Sequence, residues 1–237
     1  MLEALTSGNT YPQVLSELAK GRLRKKLPEL RKALEGRFRS HHRFMVAEIL
    51  THLDFLDEAI ERVSREVSSR LVPFSKTVEL MDLIPGINQR VAEGVLSEMG
   101  VDMSCFPTDG HAASWAGLCP GNHESAGKRK SGKTRKGSKW LRAALTEAAW
   151  AASHTRSYLG AQYHRFARRR GKKKAVVATG HSILLIAYHI LKHGTTYREL
   201  GQDYFDKRNT ARIQERLVAR LETLGLRVTV EPMPQAA

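Results

Sequence analysis

The chain has 237 residues, of which 41% are hydrophobic, and carries 39 Lys and Arg against 24 Asp and Glu, a formal net charge of +15. That length and apolar content give a globular fold with a real core, as one large domain or two small ones, and exclude a disordered chain. The charge points to a nucleic-acid partner, and no Trp/Phe-tipped basic amphipathic anchor supports the competing reading of a membrane surface.

The opening segment MLEALTSGNTYPQ has no basic region followed by an apolar core, so it does not read as a signal peptide. Cys105 and Cys119 are accordingly expected as reduced thiols of a cytoplasmic protein. Residues 11–38 read as a basic helical arm interrupted by Gly21 and Pro28. Pro28 suits the start of a helix, where its missing N–H costs nothing, and Leu30, Leu34 and Phe38 follow at helical spacing.

From 44 to 71 the apolar residues Val46, Ile49, Leu53, Leu56, Ile60, Val63 and Val67 step alternately by 3 and 4. This is the seam of a coiled coil. A hairpin with the preceding helix and a dimerisation stalk both satisfy it. Pro73 closes this helix. Residues 76–100 read as helix, turn, helix and a Gly100 cap. Within them Leu83-Ile84-Pro85-Gly86-Ile87, followed by Ala92, Val95 and Leu96, has the pattern of a helix-hairpin-helix. Gly86 permits a turn tight enough for backbone N–H groups to face a phosphate, and an ordinary Pro-Gly helical hairpin is the plainer reading.

A loop with Pro107 and Gly110 leads to a short piece over Ala112–Gly117 and then to a basic loop reaching about Lys136. Helices are expected at 138–154, 156–170, 174–192 and 209–224, with a polar-aromatic connector over Thr195–Phe205 and a short strand over Leu226–Val230. Ala175–Leu191 is the most apolar stretch, but Gly180, His181, Ser182 and His189 break it below the roughly 18 clean residues of a membrane span. It reads as a buried helix. The fold expected is mainly α: a basic arm over 1–39, a coiled-coil helix over 40–73, and a helical domain over 74–237. That domain holds the helix-hairpin-helix at about 80–100 and a basic, serine-bearing loop at about 115–140. Leu80, Leu83, Val91, Val95, Leu141, Leu145, Ala148, Val177, Ile183, Leu184, Ile186, Ile190 and Leu217 are the expected core.

The basic loop carries the chemistry. Lys128, Arg129, Lys130, Lys133, Arg135, Lys136, Lys139 and Arg142 follow one another with no acid among them. Unpaired buried charge is too costly for a core, so this run faces water or a polyanion. It is internal and bracketed by apolar structure, hence a held loop and not a tail, and phosphate neutralisation is its expected role. Ser125, Ser131 and Ser138 lie in or beside it. A serine there is more often a phosphate hydrogen-bond donor than a nucleophile; surrounding cations would favour its alkoxide and a phosphoryl-transfer transition state. Cys105, His111, Cys119 and His123 have irregular spacing for a zinc set, and no acidic cluster suits two Mg²⁺ ions, so no metal is expected in this chain.

Three ordered stretches now resemble one family. They are Ser114-Trp115-Ala116-Gly117-Leu118-Cys119-Pro120-Gly121-Asn122, then Glu124-Ser125-Ala126-Gly127-Lys128, then Lys136-Gly137-Ser138-Lys139-Trp140-Leu141-Arg142. They are similar to the C-terminal transposase domain of the insertion sequence 110 family. Ile84-Pro85-Gly86-Ile87, Ala92 to Gly100, the arm from Leu23 to Phe38 and the seam helix fit the same family.

The resemblance implies an enzyme of DNA transposition and recombination that moves a mobile element. In such proteins an acidic, Mg²⁺-binding domain comes first. A serine of the C-terminal domain, here Ser125, then attacks a DNA phosphodiester and forms a phosphoserine link. The resemblance further implies DNA and a structured guide-type RNA as partners, a homo-oligomer through the coiled coil, and no membrane. Ala126 stands where the family usually has Gly, and Ser138 where Asn is common. The acidic domain should precede Leu15, where this sequence has only a short leader, so the chain reads as a C-terminal portion, with Mg²⁺ expected in the missing domain. The competing reading is a non-catalytic nucleic-acid-binding and oligomerisation module.

Overall fold

A computed structural model describes residues 1–36, 38–121 and 123–231, and for His123, Arg129 and Lys130 the backbone alone. The chain divides into two compact units, Met1–Val72 and Pro73–Ala237. The fold is mainly helical, as the sequence predicts.

The first unit contains α1 (Leu2–Thr6), α2 (Pro12–Glu17), a 3-10 segment over Gly21–Lys26, α3 (Leu27–Leu34) and α4 (Ser40–Leu71). Both α2 and α3 carry a proline in the first turn, where no intrahelical donor is lost. They pack together, and Arg31 on α3 reaches back to Ser16 Oγ at 3.0 Å and Glu17 Oε1 at 2.8 Å. The 32-residue α4 has no internal Gly or Pro, and three Glu-to-Arg pairs one turn apart, Glu58–Arg62, Glu61–Arg65 and Glu66–Arg70, run along it in the favourable order. None of its residues is buried, and the seam from Ile49 to Val63 is 40–64% exposed. Within this unit, the described residues do not cover the seam with the preceding helix.

The second unit contains α5 (Ser75–Asp82), α6 (Gln89–Met99), α7 (Asp109–Trp115), β1 (His123–Ser125), β2 (Lys128–Ser131), α8 (Lys139–Ala152), α9 (Tyr158–Arg170), α10 (Lys172–His193), α11 (Tyr204–Arg208) and α12 (Thr210–Glu222). Polar residues start the helices: the side chains of Asn88, Thr108, Ser138 and Ser157 accept from the free backbone N–H of Val91, His111, Leu141 and Gly160. The apolar stretch is α10, on which α5, α7, α8 and α9 pack. It is long and apolar enough to cross a membrane by composition, yet half of that window is buried in the protein, so it serves as the core helix. Gly180 lets α8 approach closely: a Cβ there would lie 3.1 Å from Leu145 O. Tyr188, fully buried on α10, donates from its hydroxyl to Phe106 O at 3.0 Å.

Several expectations are corrected. Val91, Val95, Leu141, Leu145, Ala148, Ile183, Leu184 and Ile190 are buried, and Leu80, Val177 and Ile186 pack at the core's edge. Leu83 and Leu217 are instead 53% and 52% exposed. Leu83 ends α5 on the outer side of its turn, and Leu217 lies on α12, none of whose residues is buried. Leu226–Val230 forms no strand, because a strand needs a hydrogen-bonded neighbour and none is described there. The basic loop, expected to be irregular, holds the antiparallel pair β1–β2.

Candidate functional site

Between α7 and α8 the chain runs out and back as a pinned ribbon. Its neck is a contact between two glycines. Gly117 has φ +68, and a Cβ there would fall 2.7 Å from Gly137 N and 2.8 Å from Arg135 O. A Cβ on Gly137 would overlap the carbonyl of Ala116. Only two residues without side chains let the strands meet so closely. Beyond the neck, Pro120 bridges Thr134, and Gly121 N donates to Lys133 O at 2.9 Å. The ladder continues through His123↔Ser131, Glu124↔Arg129 and Ser125↔Lys128, with a bulge between His123 and Glu124. The tip is the two-residue turn Ala126-Gly127, with φ +52 and +71. Positive φ at both central residues is the type I′ hairpin turn, whose twist suits antiparallel strands.

This ribbon sorts the three candidate serines. Ser138 Oγ donates to Glu98 Oε2 at 2.6 Å and accepts from Leu141 N at 3.2 Å, so it caps α8 and ties it to α6. Ser131 Oγ accepts from Lys133 N at 3.1 Å in a local turn. Ser125 is exposed at the last strand position before the tip. Among the described residues its hydroxyl has no hydrogen-bond partner. Directly opposed residues of a ladder share a face with their Cβ atoms about 5 Å apart, so Lys128 is the cation placed beside Ser125, and Glu124 belongs to the other face.

Lys128, Lys133, Arg135, Lys136 and Lys139 are exposed, and among the described residues none of them forms an ion pair. Arg142 is partly committed to structure: its guanidinium reaches Arg135 O and Thr134 Oγ1, each at 3.4 Å, bracing the neck. The side chains of Arg129 and Lys130 lie outside the described residues. Sequence reasoning passed over Trp140, which is 77% exposed in the first turn of α8 beside this basic set. Its signal was an aromatic between Lys139 and Arg142, the residue types of a stacking platform flanked by cations.

Gly86 sits in the α5–α6 turn with φ +92, and a Cβ there would overlap Ala148 O on α8. Its first duty is therefore to let this turn pack on α8. Cys105 Sγ contacts Asp102 O at 3.0 Å and His111 Nδ1 contacts Thr108 Oγ1 at 2.8 Å, both local partners. Among the described residues no three His, Cys, Asp or Glu side chains converge as metal ligands.

Residues 78–165, which span the α5–α6 turn, the ribbon and α8, match the family described as Transposase IS116/IS110/IS902. No curated protein matches the chain.

Proposed function

We propose, from the match of residues 78–165 to the Transposase IS116/IS110/IS902 family, that this chain acts in DNA transposition, that the ribbon binds DNA and that Ser125 is the nucleophile of strand transfer. The observation that carries this reading is the state of the serines: Ser131 and Ser138 are occupied by turn and cap, and Ser125 alone of the three presents a hydroxyl without a described partner, beside Lys128 at the tip.

Ser125 Oγ attacks the phosphorus, a P–Oγ bond forms, and the bond from phosphorus to one sugar oxygen breaks. The serine proton passes to a base, and the leaving oxygen takes up a proton. Lys128 meets the charge that develops on the non-bridging oxygens. Lys133, Arg135, Lys136 and Lys139, with Arg129 and Lys130, hold neighbouring phosphates, and Arg142 keeps the neck rigid. The α5–α6 turn at Gly86 adds a phosphate contact that does not depend on sequence. In this reading the base is supplied by a second, acidic domain. The same reading includes an acidic domain acting on the same phosphate, a structured RNA partner, and an assembly joined through the exposed α4 seam.

The test is covalent trapping. The full chain, mixed with the acidic domain and labelled element-end DNA, should yield a protein-linked DNA band. Ser125→Ala should abolish that band while DNA affinity falls by no more than a lost hydroxyl contact allows, about 1 kcal/mol. Ser131→Ala should keep it. Ser138→Ala should also keep it while losing about 1 kcal/mol of stability with its helix cap. An adduct that survives Ser125→Ala, or maps to Ser131, overturns the assignment and leaves the binding-module reading.

A further inference from the structure

A second basic feature lies apart from the ribbon, in the cleft walled by α9, α11 and α12. Its volume is about 1450 Å³. That exceeds the roughly 300–1,000 Å³ of a small-molecule site. Six arginines and three carboxylates line it. Arg165, Arg168 and Arg169 come from α9, and Arg212 and Arg216, one turn apart, from α12. Among the described residues none of these arginines forms an ion pair. One of the carboxylates, Asp203, is already held by Lys207 at 2.6 Å. The lining histidines are committed as well, His164 to Ser153 O and His154 to Trp150 O. Two rows of unpaired arginine thus line one recess. Rows of like charge repel, and an anion lying between them relieves that repulsion.

We propose that this cleft is a second nucleic-acid site, which grips the phosphate backbone of a single strand. The inference rests on the nucleic-acid reading above only for the kind of ligand. A small anion would leave most of the arginines unmet, whereas a strand presents a phosphate at every nucleotide. One of the arginines is held in place on an aromatic ring of the recess. Phe205 lies in its wall, stacked on Tyr158 with ring centroids 5.3 Å apart and covered by Arg165 at 5.1 Å. A groove of cations that tracks the backbone is what holds a single strand without reading its sequence.

The ribbon and the cleft make different predictions for different probes. Fluorescein-labelled twelve-nucleotide oligouridine and oligothymidine, and a labelled duplex, are titrated with the full chain over a range of salt. In the Arg168→Ala, Arg212→Ala, Arg216→Ala variant, single-strand affinity should fall by roughly 10- to 100-fold at about 0.1 M salt. Its log–log salt slope should flatten by about 2, at about 0.7 per lost phosphate contact. Lysine at the same three positions should restore the slope, since charge and not shape sets it. All three arginines are exposed, so the alanine variant should keep its melting temperature. Tighter binding of oligouridine would assign the cleft to RNA, and equal binding would assign it to a backbone of either kind. Unchanged single-strand affinity and slope in the alanine variant overturns the proposal, as does a change of sedimentation mass with affinity intact, which would make the cleft a protein contact. Duplex binding that depends on Lys128, Lys133 and Lys136 tests the ribbon separately.

Discussion

Ala126 has φ +52, a left-handed conformation that an L side chain adopts at a cost of roughly 1–2 kcal/mol and glycine adopts freely. It forms half of the turn that presents Ser125, so the tip is strained where the proposed nucleophile sits. Ala126→Gly should relieve that strain. Amide exchange in the ribbon should slow several-fold, a stabilisation of about 1 kcal/mol, and strand transfer should be kept or improved. Unchanged or faster exchange would show that the turn is not held in this conformation.

At the scale of elements, α4 and the ribbon are both incomplete on their own. The α4 seam is apolar and exposed over several turns, and we propose that it is covered by self-association. A second copy of the same helix supplies a matching stripe. Leu53→Asp with Leu56→Asp would bury two charges in that seam, and sedimentation should show a loss of mass from oligomer to monomer with helicity largely preserved. An unaltered mass would leave the seam without a role in self-association. The ribbon is incomplete in the opposite sense, since its neck is fully built by Gly117 and Gly137 and its tip is bare.

For the whole molecule, the core around α10 links stability to pH through His181. Burial holds this imidazole below its ordinary 6.5, against a smaller opposite pull from Asp109, which also faces His189 at 3.4 Å. The unfolded chain therefore takes up a proton at a higher pH than the folded one. Stability from this group is complete above pH 6.5, declines as the pH falls below it, and levels once the folded-state imidazole also protonates. Thermal melting at pH 7.5 and 5.5 should show a lower midpoint at the acid end, with a smaller difference in His181→Gln. Equal differences in the two proteins would remove His181 from the account.

The sequence by itself determined whatever depends on local spacing and composition. The seam of α4 follows from steps of 3 and 4, α10 from the most apolar stretch of the chain, and the helices after the ribbon from their apolar periodicity. The basic run was bound to be exposed, because burying so many unpaired charges has no compensating term. Tertiary structure alone decided which serine is free. Ser138 is occupied because α6 brings Glu98 to it from 40 residues away, a pairing that no local pattern encodes. It also decided that the basic loop is a ribbon, since the contact of Gly117 with Gly137 spans the whole excursion and only then sets the register of Ser125 against Lys128. The arginine cleft was legible only by half: the run Arg168 to Lys174 is plainly basic in the sequence, but the facing wall with Arg212 and Arg216 comes from a segment more than 40 residues away, and their charges add up only once the chain has folded.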